Sequence, residues 1–457
     1  MPQIEDKIRS DYTEGSIFGS ILKMGLPSMF GFLVHHIYGM VDMYWVSNLS
    51  QGETAVAAIT FFNNIMWLFF SFNQLVGPGS VAVISRRYGE KNYNLTEKAI
   101  KEAVCLKLFF GLILGIVGFF FAEDMLHLVG AEGEAVVMGT DYGRVMFAAM
   151  PILYATYTIF TAMRGVANPN MTLILMLCSN VLNMVLDPFF IFGYLGLPAW
   201  GVKGAAYASV LSYCLTFAVG LLLFYTNRTN VKLNLAGAEK VSLDSMWKMV
   251  KIGIPAWLAD MSFSGSRLVI VPMIAAFGTG VVAAYGIGTQ VTSFGIMILV
   301  GIGLGLSSLI GHNIGSEKFD RAKKTADQAI WLGIGIMLVV GLIAFIFARI
   351  IMDIFFDSPE TIAYGTTLLR IFAIGFPFIG AFIMMEEIHV GVGLNMPAMV
   401  LTIIHSWGLQ VAPIVLVTQV FGMGETAVWW VFSLSIMLSA NIFYLYYRRG
   451  KWLTIKV

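Results

Sequence analysis

The sequence contains few charged residues. Only 12% of its 457 residues are Asp, Glu, Lys or Arg, about half of the roughly 25% that soluble domains carry. The 28 basic residues nearly balance the 27 acidic ones, which excludes the basic surface of a nucleic-acid-binding protein. Hydrophobic residues make up 58% of the chain, and a soluble protein this apolar would expose large adhesive patches. The composition therefore predicts an integral membrane protein.

Cysteine and metal-binding motifs are also scarce. The three cysteines, Cys105, Cys178 and Cys214, all lie in apolar runs, without the close pairing of a disulfide framework or a metal site. We expect them to be small hydrophobic core residues. HExxH and CxxC motifs are absent, and we find no nucleophile–base cluster. We therefore expect neither an enzyme nor a resident cofactor.

Long hydrophobic runs are abundant. A helix needs about 20 apolar residues to cross roughly 30 Å of hydrocarbon, whereas a membrane β-barrel needs short alternating segments, which are absent here. We predict an all-α membrane protein with twelve transmembrane helices near residues 17–46, 54–82, 100–122, 137–163, 171–193, 204–226, 252–277, 281–310, 326–349, 361–388, 397–420 and 426–447.

The basic residues between these runs predict the orientation. Most of the 28 lysines and arginines fall in loops on one side, and only Lys203 and Arg349 fall in loops on the other. Because cytoplasmic loops are enriched in Lys and Arg, we expect both termini to be cytoplasmic. The chain would then be a multi-pass protein of the plasma or inner membrane, in contact with lipid, and we expect a monomer.

The two halves of the chain resemble each other. Five matches recur 226 positions apart: Ala57-Ala58 with Ala283-Ala284, Tyr88-Gly89 with Ile314-Gly315, Gly139-Thr140 with Gly365-Thr366, Pro151 with Pro377, and Gly165 with Gly391. We predict two six-helix lobes, 1–227 and 252–457, joined by a cytoplasmic linker, 228–251. Because six is even, both lobes enter from the same side, related by a pseudo-two-fold axis along the membrane normal, with a transport pathway in the cleft between them.

Several segments together resemble the multidrug and toxic compound extrusion (MATE) family of cation-coupled exporters. They are GLP and VDMYWVSNLS in the first helix, AVISRRYGEKN, MRGVANPNMT, NMVLDPFFIFG and WGVKGAAYAS. In the second half, EEIHVGVGLNMP stands where the family has an arginine-glycine motif. The resemblance implies a secondary active antiporter that exports small organic cations in exchange for H⁺ or Na⁺. The same superfamily includes lipid-linked oligosaccharide flippases, which remain the alternative.

Two acids lie within predicted membrane spans. Asp42 and Asp187 fall near the outer ends of the first and fifth helices, roughly 6–9 Å below the external surface at 1.5 Å per residue. A carboxylate at membrane depth costs several kcal/mol unless it is neutralised, hydrated or paired, so such acids are candidates for function. A structural alternative is that Asp187, which precedes Pro188, only ends a helix. In the second lobe, however, Ala412-Pro413 keeps the proline without the acid.

Neutral polar residues accompany these acids. Asn180 and Asn183 share a helix face with Asp187, Tyr38 precedes Asp42 by one turn, and Ser209 lies on the sixth helix. Oxygen ligands of this kind suit Na⁺, with Asp42, Asp187 and Asn183 as its ligands; alternatively the two acids share a proton. The family resemblance implies a cation-coupling role for Asp42, Asp187, Asn183 and Tyr38, whereas Ser209 stands where the family usually has threonine.

The second lobe carries its own buried charges. Asp260 and Arg267 lie seven residues apart on one helix face, so they either pair, directly or through water, or belong to a second site. Glu386, Glu387 and His389 lie near the cytoplasmic end of the tenth helix. They are candidates for a second proton or cation site, with solvation at the helix end as the alternative.

Three further features complete the proposed mechanism. Pro27 weakens the backbone hydrogen bonding of the first helix, which makes bending easier. His35 lies two turns before Asp42, where a proton relay or a packing role are the alternatives. Phe61, Phe62, Met66 and Trp67 offer an apolar surface for flat cations. We expect alternating access in which the coupling ion and an organic cation compete for the two acids.

Overall fold

A computed structural model describes residues 11–234 and 240–454, so the outermost residues and part of the predicted linker lie outside the described residues. Within the described part the chain forms helices and no strands. The α-helices are α1 (Ile17–Ser47), α2 (Gly52–Ser71), α3 (Gly77–Gly89), α4 (Tyr93–Leu128), α5 (Glu134–Ala148), α6 (Met150–Gly165), α7 (Pro169–Phe192), α8 (Val202–Tyr225), α9 (Leu243–Ala275), α10 (Thr279–Gly315), α11 (Phe319–Ile346), α12 (Ala348–Phe355), α13 (Pro359–Val392), α14 (Met396–Ile403), α15 (Ala412–Val415) and α16 (Glu425–Arg448).

These helices provide the predicted membrane spans. Eleven helical stretches in the described residues are long and apolar enough to cross a membrane, with α2 and α3 forming one of them. The twelfth span is the pair α5 and α6, which is bent by 55°. Pro151 occupies the first turn of α6, where its ring and missing N–H interrupt the preceding helix. The all-α fold with twelve spans is thus confirmed.

The span from Met396 to Val420 is irregular. Between α14 and α15 the backbone is π-helical over Ile404–Val411, and it becomes π-helical again over Leu416–Val420. Pro413 lies between these two segments. Because proline removes a backbone donor, wider helical turns around it are a local accommodation of the interrupted hydrogen bonding.

The chain divides into two compact units. One contains Leu26–Gly253, and the other contains Thr13–Gly25 together with the chain from Ile254 onward. The structure differs from the predicted lobes in two respects. First, α9 already begins at Leu243, inside the predicted linker. Second, Thr13–Gly25 packs with the second unit. A physical cause of the latter is Lys318, whose Nζ donates to the Thr13 hydroxyl at 2.9 Å.

The repeat is visible in the local geometry of each half. Lys91 and Glu317, 226 positions apart, both have a positive φ, 58° and 56°. Each lies just after the end of a helix. The residue that follows it, Asn92 or Lys318, donates its backbone N–H to the carbonyl oxygen five residues earlier, at 3.1 Å and 2.9 Å respectively. Left-handed residues of this kind commonly end helices, and their recurrence at the spacing of the sequence repeat agrees with a duplicated unit.

Two expectations about side-chain burial are wrong. Cys105 and Cys178 are exposed rather than in the core, although all three cysteines are free as expected. The surface of a membrane-spanning helix is itself apolar, so an apolar run does not distinguish inward from outward positions. Phe62 and Met66 lie in the packed core of the first unit and offer no surface to a ligand, whereas Trp67 is exposed.

Candidate functional site

Three helices of the first unit bring the predicted polar residues together. Tyr38 and Asp42 lie on α1, Asn180, Asn183 and Asp187 lie on α7, and Ser209 lies on α8. The close packing of α7 against α8 depends on Gly204, because a Cβ there would lie 2.3 Å from the Phe190 carbonyl oxygen. The absence of a side chain at Gly204 therefore allows Ser209, farther along α8, to reach α7.

Ser209 connects the three helices. Its Oγ accepts a hydrogen bond from Asn183 Nδ2 at 3.1 Å and lies 3.1 Å from the Tyr38 hydroxyl, where either oxygen can donate. Ser209 is almost completely buried. Because buried polar groups need partners, this one hydroxyl holds α1 to α7 and α8 about one helical turn from the acids.

The two acids are buried and near each other. Asp42 is 6% exposed and Asp187 is fully buried, and the charge of Asp42 acts on Asp187. Asp42 Oδ1, both carboxyl oxygens of Asp187 and Asn183 Oδ1 have no hydrogen-bond partner within the described part of the chain. An ionised carboxylate buried without a donor is strongly unfavourable. The site therefore suits a bound cation or a retained proton.

The donor set limits which cation fits. Carboxylate and amide oxygens suit hard ions such as Na⁺, and Asp42, Asp187 and Asn183 supply such oxygens. Across residues 11–234 and 240–454, no group of three or more His, Cys, Asp or Glu side chains is arranged to hold a metal. The oxygen donor set therefore suits a proton or a hard cation.

Two tyrosines near the acids were missed in the sequence analysis. Tyr142 on α5 interacts electrostatically with both Asp42 and Asp187, and Tyr213 on α8 interacts with Asp42. Tyr213 follows Ser209 by four residues, so the helical spacing could have identified it. Tyr142 lies on a helix that carries no other predicted site residue, and nothing in the local sequence marks it.

In the second unit, Asp260 and Glu386 are close enough to interact electrostatically. Asp260 lies on α9 and Glu386 on α13, and the charge of Asp260 acts on Glu386. Arg267 does not join them: its guanidinium lies over the Phe263 ring, 4.7 Å from the ring centre, and no direct ion pair with Asp260 is found among the described residues. The seven-residue spacing places the two on one face of α9, but the arginine side chain packs on Phe263 instead.

Glu387 and His389 occupy different surroundings from Glu386. Glu387 packs beside Gly303 of α10, where a Cβ would lie 2.5 Å from its Cγ. His389 is fully buried, its Nδ1 lies 2.7 Å from the Met385 carbonyl oxygen, and its ring packs against Phe443. Of the acidic residues in this motif, Glu386 is therefore the one that interacts with Asp260.

Buried acids and amides inside a bundle of membrane-spanning helices are typical of membrane transporters. The MatE family model matches residues 27–189 and 255–416, once in each half of the chain. The two matches together cover more than half of the sequence. The chain belongs to the MatE family, which confirms the expectation of a transporter that is not an enzyme.

Curated relatives match over nearly the full length. The chain is 25% identical over 446 residues to the "Probable multidrug resistance protein YoeA" of Bacillus subtilis, covering 97% of this chain and 96% of that protein. It is 26% identical over 427 residues to the "Multidrug export protein MepA" of Staphylococcus aureus, covering 92% and 91%. These proteins are therefore similar in architecture from end to end.

Solved structures share the fold. A MOP superfamily transporter from Pyrococcus furiosus superimposes with a TM-score of 0.86 at 24% identity, covering 97% of this chain and 98% of that one. An outward-facing MATE family transporter of the same superfamily superimposes with a TM-score of 0.85 at 23% identity, covering 96% and 97%. Identities this low support the shared fold alone.

Proposed function

We propose that this chain is a multidrug efflux antiporter, which exports small organic cations in exchange for H⁺ or Na⁺. The observation that carries this proposal is the buried pair Asp42 and Asp187, of which Asp42 Oδ1 and both Asp187 oxygens are buried without a donor in the described part of the chain. The names of the full-length relatives, a multidrug resistance protein and a multidrug export protein, support the nature of the cargo.

Exchange follows from competition at one anionic site. When the two carboxylates are charged, they stabilise an organic cation nearby. When H⁺ or Na⁺ neutralises them, that cation loses its counter-charge and its affinity falls. A ligand shifts a conformational equilibrium only by its difference in affinity for the two states, so inorganic ion and drug would favour opposite arrangements of the transporter.

The Ser209 bridge connects this site to α1. The hydroxyl of Tyr38 on α1 contacts Ser209, and Asn183 on α7 donates to the same oxygen. A cation bound by Asn183 and the acids would shift Asn183 and so change its hydrogen bond to Ser209. Pro27 lies within α1, where the missing backbone hydrogen bond lowers the cost of bending. We propose that α1 bends at Pro27 when the site changes occupancy.

Asp260 and Glu386 are proposed as a second cation or proton site, in the second unit. Their electrostatic interaction supports this role. We also propose that both termini are cytoplasmic, which the distribution of Lys and Arg supports. A location in the plasma or inner membrane and a monomeric state are further proposals. The lobes at 1–227 and 252–457 with a linker at 228–251 remain a proposal that the unit limits refine.

Transport in proteoliposomes with separately imposed Na⁺ and pH gradients tests the function. The wild-type protein should export ethidium, a planar organic cation, when one of these gradients is applied. Asp42→Asn and Asp187→Asn should each abolish gradient-driven export, because a neutral amide takes up no proton and supplies no negative charge to balance Na⁺ or the organic cation. Asp353→Asn is the matched control, since Asp353 is an exposed residue at the end of α12, and it should transport like wild type.

Unchanged export by Asp42→Asn would contradict the mechanism. A flippase for lipid-linked sugars would instead translocate labelled lipid under the same conditions and leave ethidium unmoved.

A further inference from the structure

A small cavity lies inside the first unit, about two helical turns before the acids along α1 and α7. It is lined by Phe32 and His35 of α1, Tyr157 and Phe160 of α6, Met176, Ser179 and Asn180 of α7, and Tyr213 of α8. His35 and Asn180 each precede the acid on their own helix by seven residues. At 1.5 Å per residue, this places them about 10 Å from Asp42 and Asp187, toward the side proposed to be cytoplasmic.

His35 is fixed in this cavity by Asn180. Its Nδ1 lies 3.3 Å from Asn180 Oδ1. An amide oxygen only accepts, so Nδ1 carries the hydrogen and Nε2 is the nitrogen that takes up a proton. The Asn180 Nδ2 is buried and has no hydrogen-bond partner within the described residues, and it leaves a polar group at the cavity wall where water can bind.

The titratable groups around His35 are few. On α1 they are His36, which acts on it electrostatically, and Tyr38, whose ring centre is 5.4 Å from that of His35. On α6 and α8 they are Tyr157 and Tyr213. The cavity lining contains no carboxylate and no lysine. Nothing in the lining therefore holds a proton permanently on the imidazole, which suits a group that must release what it accepts.

Tyr213 belongs both to the lining of this cavity and to the surroundings of Asp42. Tyr213 interacts electrostatically with Asp42 and with Tyr157, and both tyrosines line the cavity.

Like the acids, His35 has no counterpart in the other half of the chain. In the register that aligns GLP at 25–27 with GIP at 253–255, its equivalent is Phe263.

We infer that His35 is the residue through which the coupling proton leaves the Asp42–Asp187 pair toward the cytoplasm. This inference rests on the proposed antiport and selects H⁺ as its coupling ion. In this proposal a protonated carboxyl gives up H⁺ and becomes a carboxylate, the Tyr213 hydroxyl accepts that proton while donating its own to water in the cavity, and His35 Nε2 accepts the proton from the water. The same nitrogen then releases the proton to the cytoplasm, so the histidine returns to its neutral form and no electrons move.

The test compares His35→Gln with His36→Gln in proteoliposomes. Glutamine keeps a donor for Asn180 but does not carry a proton, and His36 is the exposed neighbour on the same helix. Export of ethidium driven by a pH gradient should slow by at least ~10-fold in His35→Gln and stay unchanged in His36→Gln. Ethidium–ethidium exchange without a gradient, which needs no net proton movement, should stay near the wild-type rate.

A second variant separates proton transfer from packing. His35→Ala leaves space for a small molecule, so added imidazole should raise gradient-driven export by this variant relative to wild type at the same imidazole concentration, a ratio that corrects for the part of the pH gradient that this permeant base dissipates. Equal export by His35→Gln and wild type would overturn the inference. So would equal losses of gradient-driven export and ethidium exchange, which indicate a structural role, or export driven by Na⁺ alone. If the wild type itself exports nothing under either gradient, the proposed function fails instead.

Discussion

At the scale of single residues, the acids of the site were easier to predict from the sequence than the tyrosines beside them. Asp42 and Asp187 stand out in apolar runs because each costs free energy there, and both are buried near each other. Tyr142 and Tyr213 were missed because tyrosine is common in apolar helices, and only the packing of α5 and α8 brings them to the acids. Burial of cysteine was mispredicted because lipid and core are both apolar.

Ser209 provides a test at this scale. Ser209→Ala should remove the common partner of the buried Asn183 amide and the half-buried Tyr38 hydroxyl, at a cost of about 1–3 kcal/mol for the buried amide. We expect a lower unfolding temperature and slower gradient-driven export, measured by thermal denaturation in detergent and by ethidium flux. Ser209→Thr, which keeps the hydroxyl, should restore both.

Ser212→Ala is the matched control for this substitution. Ser212 lies on the same helix and is equally buried, but its hydroxyl has no hydrogen-bond partner in the part of the chain that the structure describes. It should therefore leave stability and transport near wild type. Equal effects of Ser209→Ala and Ser212→Ala would show that the bridge does not hold the site.

At the scale of helices, the hydrophobic runs predicted where each span lies but not its internal breaks. Residues 137–163 read as one span, yet they form α5 and α6 with a 55° bend. The span from Met396 contains π-helical turns that hydrophobicity does not encode. Such breaks depend on backbone hydrogen bonding near proline and on partners from neighbouring helices, which a single sequence does not display.

The break between α2 and α3 makes one such dependence testable. Residues Phe72–Leu75 form a short 3₁₀ segment there, and the buried Lys107 of α4 donates to the Asn73 carbonyl oxygen at 2.6 Å and to its side-chain oxygen. Lys107→Met should leave the Asn73 groups without this donor and destabilise the protein by roughly 1–3 kcal/mol. Thermal unfolding measures the loss, and Lys23→Met, at an exposed lysine of α1, should show little change.

Helix packing at Gly204 gives a second test at this scale. Gly204→Ala should push α8 away from α7, because its Cβ would meet the Phe190 carbonyl, and should lower both stability and transport. Gly286→Ala in α10 is the control, since nothing lies within 4 Å of a Cβ there. Replacing a helical glycine by alanine without a clash raises helix stability by up to about 1 kcal/mol. Tolerance of both changes would contradict the close contact of α7 and α8.

At the scale of the whole molecule, the duplication was visible in the sequence, and the family model matches each half separately. The unit limits were not predictable in detail. Thr13–Gly25 groups with the second unit, in which Thr13 and Glu14 contact Lys318, more than 300 positions along the chain. The sequence around Lys318 does not indicate which residues it contacts, so its contacts with Thr13 and Glu14 could be identified only from the folded structure.

The central claim is that the inorganic ion and the organic cation exclude each other at Asp42 and Asp187. Binding of ethidium to the purified protein, titrated at increasing Na⁺ concentration and at decreasing pH, tests it most directly. The account predicts that one of these ions raises the ethidium dissociation constant in proportion to its concentration, and that Asp187→Asn removes this dependence. An ethidium affinity that neither ion changes in the wild type would contradict it.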